Sequence, residues 1–253
     1  MRKGGAVPGM SRPAARGRAE HLLLAYPGRD IAVTAITLVL TAAIFVAVAS
    51  QGVLAHIQHL DKAWLRLMVT NRSGPVTALA RFLNVLGLVY VTLPVRIAIA
   101  GYLALRRRWW HLAAFVVAIV MSEALIGTLK AIYDRARPPG SLVATSGASF
   151  PSGHSIAATV TVVAAVIALV PPGRRRVWWG AGAVVFSALM ALSRAYLAAH
   201  WLSDAIAGVL LGTSCALLAA VVVGALQRRW RGRRPDPAAH GPAPDVIQPA
   251  DQR

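Results

Sequence analysis

Two histidines in this sequence have neighbours that could make them reactive towards phosphorus. His200 and Asp204 are four residues apart. On a helix they would share a face, where the carboxylate can hold one ring nitrogen and leave the other free to attack. His154 follows Ser152, a favoured N-cap residue, and Gly153 at the start of an apolar run. Amides at a helix start attract phosphate oxygens, and His154 there could transfer a proton. Either pattern alone also fits a structural role, as a satisfied His–Asp pair or as a capped helix with an isolated histidine.

Three basic side chains accompany these histidines. Lys130 and Arg137 are seven residues apart, close to two helical turns, so a helix that continues to Arg137 puts both on one face before the following prolines end it. Two cations at a helix end form a site for an oxyanion, and Arg194 adds a third cation. Arg135 falls off that face, and Asp134 is expected to pair with the neighbouring cations. Taken alone, the cluster is also explained as a charge patch beside a membrane.

Together, the three segments hold a nucleophile with its orienting acid, a separate proton donor, three cations and a helix N-terminus. These groups are a complete set for phosphoryl transfer without a metal. Such chemistry requires that the elements carrying the segments bring them to one side of the molecule.

The chain consists largely of apolar runs. Of its 253 residues, 57% are hydrophobic and 14% are charged, and the mean hydropathy is +0.57. Soluble domains carry about a quarter charged residues, and a membrane-spanning helix needs roughly 20 apolar residues. Six runs qualify or nearly qualify: Ile31–Ala49, Leu83–Leu105, Leu112–Ile132, Ile156–Val170, Val177–Leu192 and Ala205–Leu226. The composition therefore predicts an all-α, polytopic membrane protein, a six-helix transmembrane bundle.

The basic residues predict the orientation of this bundle. The formal net charge is +18, which in a soluble protein suggests a nucleic-acid partner. Here the arginines cluster between apolar runs, so no nucleic-acid partner is expected. The clusters fall in the two tails and in the second and fourth connections, which share one side of a six-span protein. The positive-inside rule makes that side cytoplasmic, and the connections that carry the reactive groups then face outward.

One domain between two tails is predicted. Residues 1–29 are expected to form a disordered basic cytoplasmic tail, residues 30–227 the six-span domain, and residues 228–253 a second disordered cytoplasmic tail. This arrangement predicts a multi-pass protein of the plasma (inner) membrane with its reactive groups on the periplasmic or extracellular face.

Polar residues outside these patterns carry further predictions. His56 and His59 could touch a metal, but the pattern supplies no further ligands, so two solvated histidines are expected. The adjacent stretch Leu60–Val69 is a candidate interfacial helix. Arg96 and Glu123 fall at similar depths in the second and third spans, and we expect an intramembrane ion pair because neither charge is stable there alone. A water-filled cleft, or an Arg96 that snorkels to the interface, is the alternative.

The three segments also resemble the signature of a known family. Three stretches are similar to the three-part signature of the type 2 phosphatidic acid phosphatase superfamily, namely Lys130-x6-Arg137-Pro138, Pro151-Ser152-Gly153-His154 and Ser193-Arg194-x5-His200-x3-Asp204. This superfamily includes lipid phosphate phosphatases, undecaprenyl-diphosphate phosphatases, glucose-6-phosphatases and vanadium haloperoxidases. The apolar spans favour its membrane branches over its soluble ones.

The resemblance implies a role for each signature residue. His200 would attack phosphorus and become a phosphohistidine, Asp204 would orient it, and His154 would protonate the leaving oxygen. Five residues would bind the phosphate oxygens: Lys130, Arg137, Arg194, Ser152 and Gly153. The resemblance implies no metal and no other cofactor in the site.

The expected substrate is a lipid phosphate or diphosphate held in the bilayer. Heavy use of Arg and Ala is typical of a GC-rich bacterial genome, and together with an outward-facing site it favours undecaprenyl or another polyprenyl diphosphate. Phosphatidylglycerol phosphate, phosphatidic acid and diacylglycerol diphosphate are the alternative substrates. A lipid transporter or scramblase that keeps the anion pocket, and a purely structural bundle, are the non-enzymatic alternatives. The sequence leaves the oligomeric state open.

Overall fold

The protein is built of α-helices throughout the part of the chain that the computed structural model describes, residues 21–24 and 26–233. Eight helices follow one another there: α1 (Pro27–Ala49), α2 (Gln51–Thr70), α3 (Gly74–Leu86), α4 (Val89–Leu105), α5 (Trp109–Tyr133), α6 (Gly153–Leu169), α7 (Arg174–Tyr196) and α8 (Leu202–Gly232). These described residues include no β-strand, which confirms the all-α prediction. Most of both predicted tails lies outside the described residues, although α8 continues past residue 227, the predicted end of the domain.

Four of the helices, α1, α5, α7 and α8, are long and apolar enough to cross a membrane. The consecutive helices α3 and α4 pass the same test together, as one span bent by 52°. α6 is apolar but has 17 residues, and so falls short of the roughly 20 that a bilayer requires. The described residues therefore hold four candidate spans, or five with the bent pair, where the sequence predicts six. The chain is a multi-pass membrane protein.

The predicted span Leu83–Leu105 is not one helix, because the chain breaks at Gly87. Glycine is a poor helix former, and the Gly87 amide donates back to the carbonyl oxygen of Leu83 at 3.2 Å. Leu88 is extended, with φ −69° and ψ 150°, so α3 ends before this pair and α4 begins after it. The apolar run is continuous in sequence, which is why hydropathy predicts a single span.

α2 is longer than the predicted interfacial helix. The sequence predicts Leu60–Val69, whereas the helix runs from Gln51 to Thr70 and follows α1 almost directly. His56 and His59 are exposed on it. Its one buried side chain is Asp61, which is 3% exposed. A buried carboxylate requires a partner, and this one points to the reactive end of the bundle.

α8 is the central helix and packs against α1, α5, α6 and α7. Its contact with α6 is close because Gly208 and Gly212 face that helix. A Cβ atom at Gly208 would lie 2.8 Å from the carbonyl oxygen of Ser152, and one at Gly212 would lie 2.8 Å from that of Ile156. Small residues allow two helix backbones to approach in this way. The first turns of α6 and α8 are thereby held side by side.

Arg96 and Glu123 form the predicted ion pair. The distance between Arg96 Nη1 and Glu123 Oε1 is 2.7 Å. Arg96 Nε also donates to Thr161 Oγ1 at 2.9 Å, and Nη2 donates to the carbonyl oxygen of Ala157 at 3.3 Å. The guanidinium of α4 therefore joins α5 and α6, and the prediction is confirmed.

Candidate active site

Four helix ends meet on one side of the bundle: the C-terminal ends of α5 and α7 and the N-terminal ends of α6 and α8. Two backbone hydrogen bonds fix the connecting loop 134–152: the first closes the loop on itself, and the second ties it to the start of α8. The amide of Ser149 donates to the carbonyl oxygen of Arg135 at 2.7 Å, and that of Ser152 donates to the carbonyl oxygen of Asp204 at 3.1 Å. The structure thus brings together the three sequence segments that carry the reactive residues.

His200 is held by Ser149 rather than directly by Asp204. The residue is 3% exposed, and its Nδ1–H donates to the carbonyl oxygen of Ser149 at 2.7 Å. Asp204 Oδ2 is 3.8 Å from Nδ1, too far for a hydrogen bond. Instead, Ser149 Oγ donates to Asp204 Oδ2 at 2.5 Å. The two residues do not share a helical turn as the spacing predicts, because α8 begins at Leu202, after the histidine.

This hydrogen bond determines which ring nitrogen of His200 is available. Because Nδ1 carries the proton, Nε2 carries the lone pair. The pKa of His200 is lowered to about 4, chiefly by burial and also by Arg194 and Arg137, while Asp204 opposes the shift. The ring is therefore neutral at pH 7, which is the nucleophilic form.

Lys130 and Arg137 converge through a loop and not through a helix face. α5 ends at Tyr133, and Asp134 takes a left-handed conformation with φ 33° and ψ 40°, so the helix does not continue to Arg137 as predicted. Lys130 Nζ donates to the carbonyl oxygen of Ala148 at 2.6 Å, and Arg137 Nη2 donates to the same oxygen at 3.2 Å. The shared acceptor brings the two cations to one point.

Arg137 also touches the available nitrogen of His200. Its Nη1 donates to the carbonyl oxygen of Ala199 at 2.6 Å and lies 3.2 Å from His200 Nε2. Burial lowers the pKa of Arg137, while Asp204 raises it. The guanidinium can thus donate to an oxygen of a phosphoryl group whose phosphorus approaches Nε2.

Arg194 is the most deeply buried cation of the site, with 2% of its surface exposed. It lies in the last turn of α7. Its Nη1 donates to Asn84 Oδ1 at the end of α3. Its Nε has no hydrogen-bond partner among the described residues, which leaves a donor for an anion.

Ser152, Gly153 and His154 form the start of α6. Ser152 is the N-cap residue, as predicted, and its hydroxyl oxygen accepts from the Ser155 amide at 3.4 Å. Gly153 is the first residue of the helix. His154 Nε2 is buried and has no hydrogen-bond partner within residues 21–24 and 26–233. An unpartnered imidazole nitrogen beside a helix N-terminus is available for a ligand.

Arg135 and Asp61 are site residues that sequence reasoning missed. Arg135 Nη1 donates to Asp204 Oδ1 at 2.6 Å and to Ser203 Oγ at 2.7 Å. Its Nη2 donates to Asp61 Oδ2 at 2.8 Å, and Asp61 Oδ1 accepts from the Ser203 amide at 2.9 Å. Asp204 is thus held by an arginine that α2 itself holds.

Two signals could have found this network. Asp61 is an isolated acid among apolar residues of an interfacial segment, which calls for a basic partner. Arg135 falls off the face of Lys130 and Arg137 only on a helix that continues to Arg137, so a helix that ends earlier allows Arg135 to reach the site. Ser149 carries no comparable signal, because its role depends on the path of the loop.

The site keeps positive charge for an anion. The cation of Arg135 is balanced by Asp61 and Asp204. Lys130 and Arg137 contact neutral carbonyl oxygens, Arg137 also contacts the neutral ring of His200, and Arg194 contacts a neutral amide oxygen. Three cations, a helix N-terminus and two imidazoles together can bind and transfer a phosphoryl group.

Two curated proteins that are similar in sequence to this chain are named as phosphatases. One is the phosphatidylglycerophosphatase B of Bacillus subtilis, 29% identical over 62% of this chain and 79% of that protein. The other is the undecaprenyl-diphosphatase of Sulfolobus acidocaldarius, 29% identical over 58% of this chain and 71% of that protein.

Two solved structures have a similar fold. A transmembrane PAP2-type phosphatidylglycerolphosphate phosphatase from Bacillus subtilis superposes with a TM-score of 0.66 at 24% identity, over 79% of this chain and 98% of that one. LpxE of Aquifex aeolicus superposes with a TM-score of 0.53 at 22% identity, over 63% of this chain and 94% of that one. Both likenesses concern the fold.

The family model of the PAP2 superfamily matches residues 111–228. This stretch runs from the start of α5 almost to the end of α8 and contains every signature residue. The resemblance predicted from the three segments is therefore confirmed: residues 111–228, which carry all three, match the PAP2 superfamily.

Proposed function

We propose that this protein is a membrane phosphatase that hydrolyses a lipid phosphate or diphosphate, with His200 Nε2 as the nucleophile. One observation carries the proposal. The Nδ1–H of His200 is bound to the Ser149 carbonyl oxygen, so the lone pair of Nε2 faces Arg137. A neutral, oriented imidazole beside three cations matches the needs of phosphoryl transfer.

The reaction takes two steps. In the first, Nε2 forms a bond to phosphorus while the bond to the lipid oxygen breaks, and Lys130, Arg137 and Arg194 bind the equatorial oxygens. His154 gives its proton to the leaving oxygen. In the second, water attacks the phosphohistidine, His154 takes the water proton, and inorganic phosphate leaves as the N–P bond breaks. Ser152 and the Gly153 amide assist in holding the phosphate.

An apolar cavity supports a lipid substrate. A cavity of about 530 Å³ lies between α4, α5 and α6. Its lining is mostly apolar and includes Gly87 and Gly153, which lie at the reactive end of the bundle. A hydrocarbon chain in this cavity would leave its phosphate among the cations of the site.

The orientation of the bundle belongs to the same proposal. Six spans, with both termini in the cytoplasm, require α6 to cross as a short span. The arginine clusters that begin α7 and end α8 support a cytoplasmic position for those ends. The reactive ends of the same helices then face the periplasm or the exterior.

The favoured substrate is a polyprenyl diphosphate, on the outward orientation and the similarity to a protein named undecaprenyl-diphosphatase. Phosphatidylglycerol phosphate is the second candidate, on the similarity to a protein named phosphatidylglycerophosphatase B.

The test is phosphate release by the purified protein in detergent, measured with both lipids and with phosphatidic acid in the presence of a chelator. We expect release without added divalent metal, and a higher kcat/KM for one lipid. His200→Ala should remove activity by a factor of about 10⁴ or more. His59→Ala changes an exposed histidine on α2 and serves as the matched control.

A phosphohistidine is labile in acid and stable in base, so rapid quenching of a reaction with labelled substrate in base should retain label on the wild-type protein. Full activity of a folded His200→Ala protein contradicts the mechanism. Dependence of turnover on a divalent metal contradicts the metal-independent site.

A further inference from the structure

The break between α3 and α4 lies against two of the reactive residues. Gly87 is buried at the break, and a Cβ atom added to it would lie 2.6 Å from Cδ2, 3.2 Å from Cγ and 3.3 Å from Cβ of His154. Asn84, three residues earlier, accepts a hydrogen bond from Arg194 Nη1. Neither Gly87 nor Asn84 belongs to the signature segments, and they come from the N-terminal side of all of them.

The glycine is required by space and not by backbone conformation. Gly87 has φ −86° and ψ −7°, which any L-residue adopts. Alanine at such a position ordinarily stabilises a protein slightly, because it restricts the unfolded chain. What opposes a side chain here is the imidazole, whose contact at 2.6 Å is closer than real Cβ atoms show.

The ring of His154 has little else to hold it. Its Nε2 makes no hydrogen bond to any described residue, so packing must determine the direction of the ring. The backbone of Gly87 supplies one wall against it. The Arg194 guanidinium likewise has a nitrogen without a hydrogen bond, since its Nε is unpartnered among the described residues. Asn84 binds its Nη1 end.

We propose that the α3–α4 break is part of the active site, where Gly87 positions the His154 imidazole and Asn84 positions the Arg194 guanidinium. This inference rests on the proposed function, in which His154 is the proton donor and Arg194 binds phosphate. A continuous helix across residues 83–105 would carry a Cβ atom or a different backbone path at this contact. The bend therefore serves the chemistry.

The first test compares Gly87→Ala, His154→Ala and the double variant. Gly87→Ala should lower kcat for a lipid phosphate by about tenfold or more, because proton transfer depends on the direction of the ring. Turnover of nitrophenyl phosphate should change much less, since nitrophenolate leaves without a proton. In the His154→Ala background the added methyl group meets no ring, so Gly87→Ala should cause no further loss. Gly101→Ala, in α4 with open space around it, should behave as wild type.

The outcomes separate the inference from the proposed function. If Gly87→Ala keeps wild-type turnover of the lipid phosphate, or multiplies the loss in the His154→Ala background, the positioning role of Gly87 is overturned. If His154→Ala itself keeps wild-type turnover, the proposed proton donor is refuted, which is a different result. Equal thermal unfolding of Gly87→Ala and Gly101→Ala shows that the loss is not one of folding.

The second test concerns Asn84. Asn84→Ala should raise the inhibition constant of inorganic phosphate by about tenfold, because the Arg194 fork loses its anchor. kcat should change less than the inhibition constant. The control is Asn71→Ala, an exposed asparagine whose amide bonds to its own helix at Leu67. An unchanged inhibition constant in Asn84→Ala overturns the positioning role of Asn84.

Discussion

Ser149 is bonded to Asp204 and to His200 at the same time. Its hydroxyl donates to Asp204 Oδ2 at 2.5 Å, and its carbonyl oxygen accepts from His200 Nδ1 at 2.7 Å. One residue thus links the acid to the imidazole through both its side chain and its backbone. The carboxylate and the ring are 3.8 Å apart, too far for a direct hydrogen bond, so their hydrogen-bonded connection runs through Ser149.

Ser149→Ala should therefore reduce activity moderately. The carbonyl oxygen of residue 149 still orients His200, while Asp204 loses one of its hydrogen bonds. We expect a fall in kcat of about tenfold, in line with the loss of one hydrogen bond to a charged group. Steady-state kinetics on a lipid phosphate measure it. A loss equal to that of His200→Ala would mean that the hydroxyl itself acts in the reaction.

Asp204→Asn should have a larger effect than Ser149→Ala. The carboxylate also accepts from Arg135 Nη1 and from the Trp201 amide, so the change weakens the whole start of α8. We expect kcat to fall by about 10² or more. Circular dichroism and size-exclusion profiles check that the variant is folded. Activity equal to that of Ser149→Ala would contradict this reasoning.

Asp61→Asn should destabilise the protein. The carboxylate of Asp61 is 3% exposed and pairs with Arg135 at 2.8 Å. The variant takes one of two carboxylate partners from the buried Arg135, which keeps Asp204, so the cost should be about 2 kcal/mol, that of a hydrogen bond to a charged group. Thermal unfolding in detergent measures the change. The neighbouring exposed Lys62 provides the control Lys62→Gln, and an unfolding temperature shared by both variants would count against the network.

His200 should make stability depend on pH. Its pKa falls from 6.5 in the unfolded chain to about 4 in the folded protein. Between these values the unfolded chain binds the proton and the folded protein does not, so stability is lost as pH falls from about 6.5 to about 4. Below the folded value the loss is complete.

The measurement is the unfolding temperature of wild type and His200→Gln across this pH range. Glutamine does not titrate, so the variant lacks this one contribution while keeping those of the other groups. The difference between the two proteins should therefore change with pH between 6.5 and 4. A difference that stays constant over the range contradicts the neutral, buried imidazole.

Glu123→Ala should destabilise the packing of α4 on α5. Arg96 would keep its contacts to Thr161 and to the Ala157 carbonyl oxygen but lose the carboxylate at 2.7 Å. The cost should be on the order of 2 kcal/mol, less than for a fully buried pair, because the Glu123 side chain is 51% exposed. The double variant Arg96→Leu with Glu123→Leu should recover part of the loss. Equal stability of the single and double variants would argue against the pair.

The meeting of the three segments could be predicted because charge clusters and apolar runs determine which connections share a side. The Arg96–Glu123 pair followed from depth alone. In both cases the physical constraint is the bilayer, and it acts on the sequence directly.

Other parts could not be predicted, because they depend on the exact path of the backbone. The left-handed Asp134 ends α5 early, and this changes the partners of both Arg135 and Arg137. The break at Gly87 lies in an unbroken apolar run, where a single glycine is compatible with a continuous helix. Because α6 has 17 residues, its length alone does not decide whether it counts as a membrane span.

The contact between α8 and α6 has a mechanical consequence. Because Gly208 and Gly212 lie against the backbone at Ser152 and Ile156, separation of the two helices would leave a space that neither glycine has a side chain to fill. We therefore expect the start of α6 and the start of α8, which carries Asp204, to stay fixed relative to each other when a ligand enters or leaves the site. Any movement that admits a lipid or releases its product is therefore expected on the opposite side of the cavity.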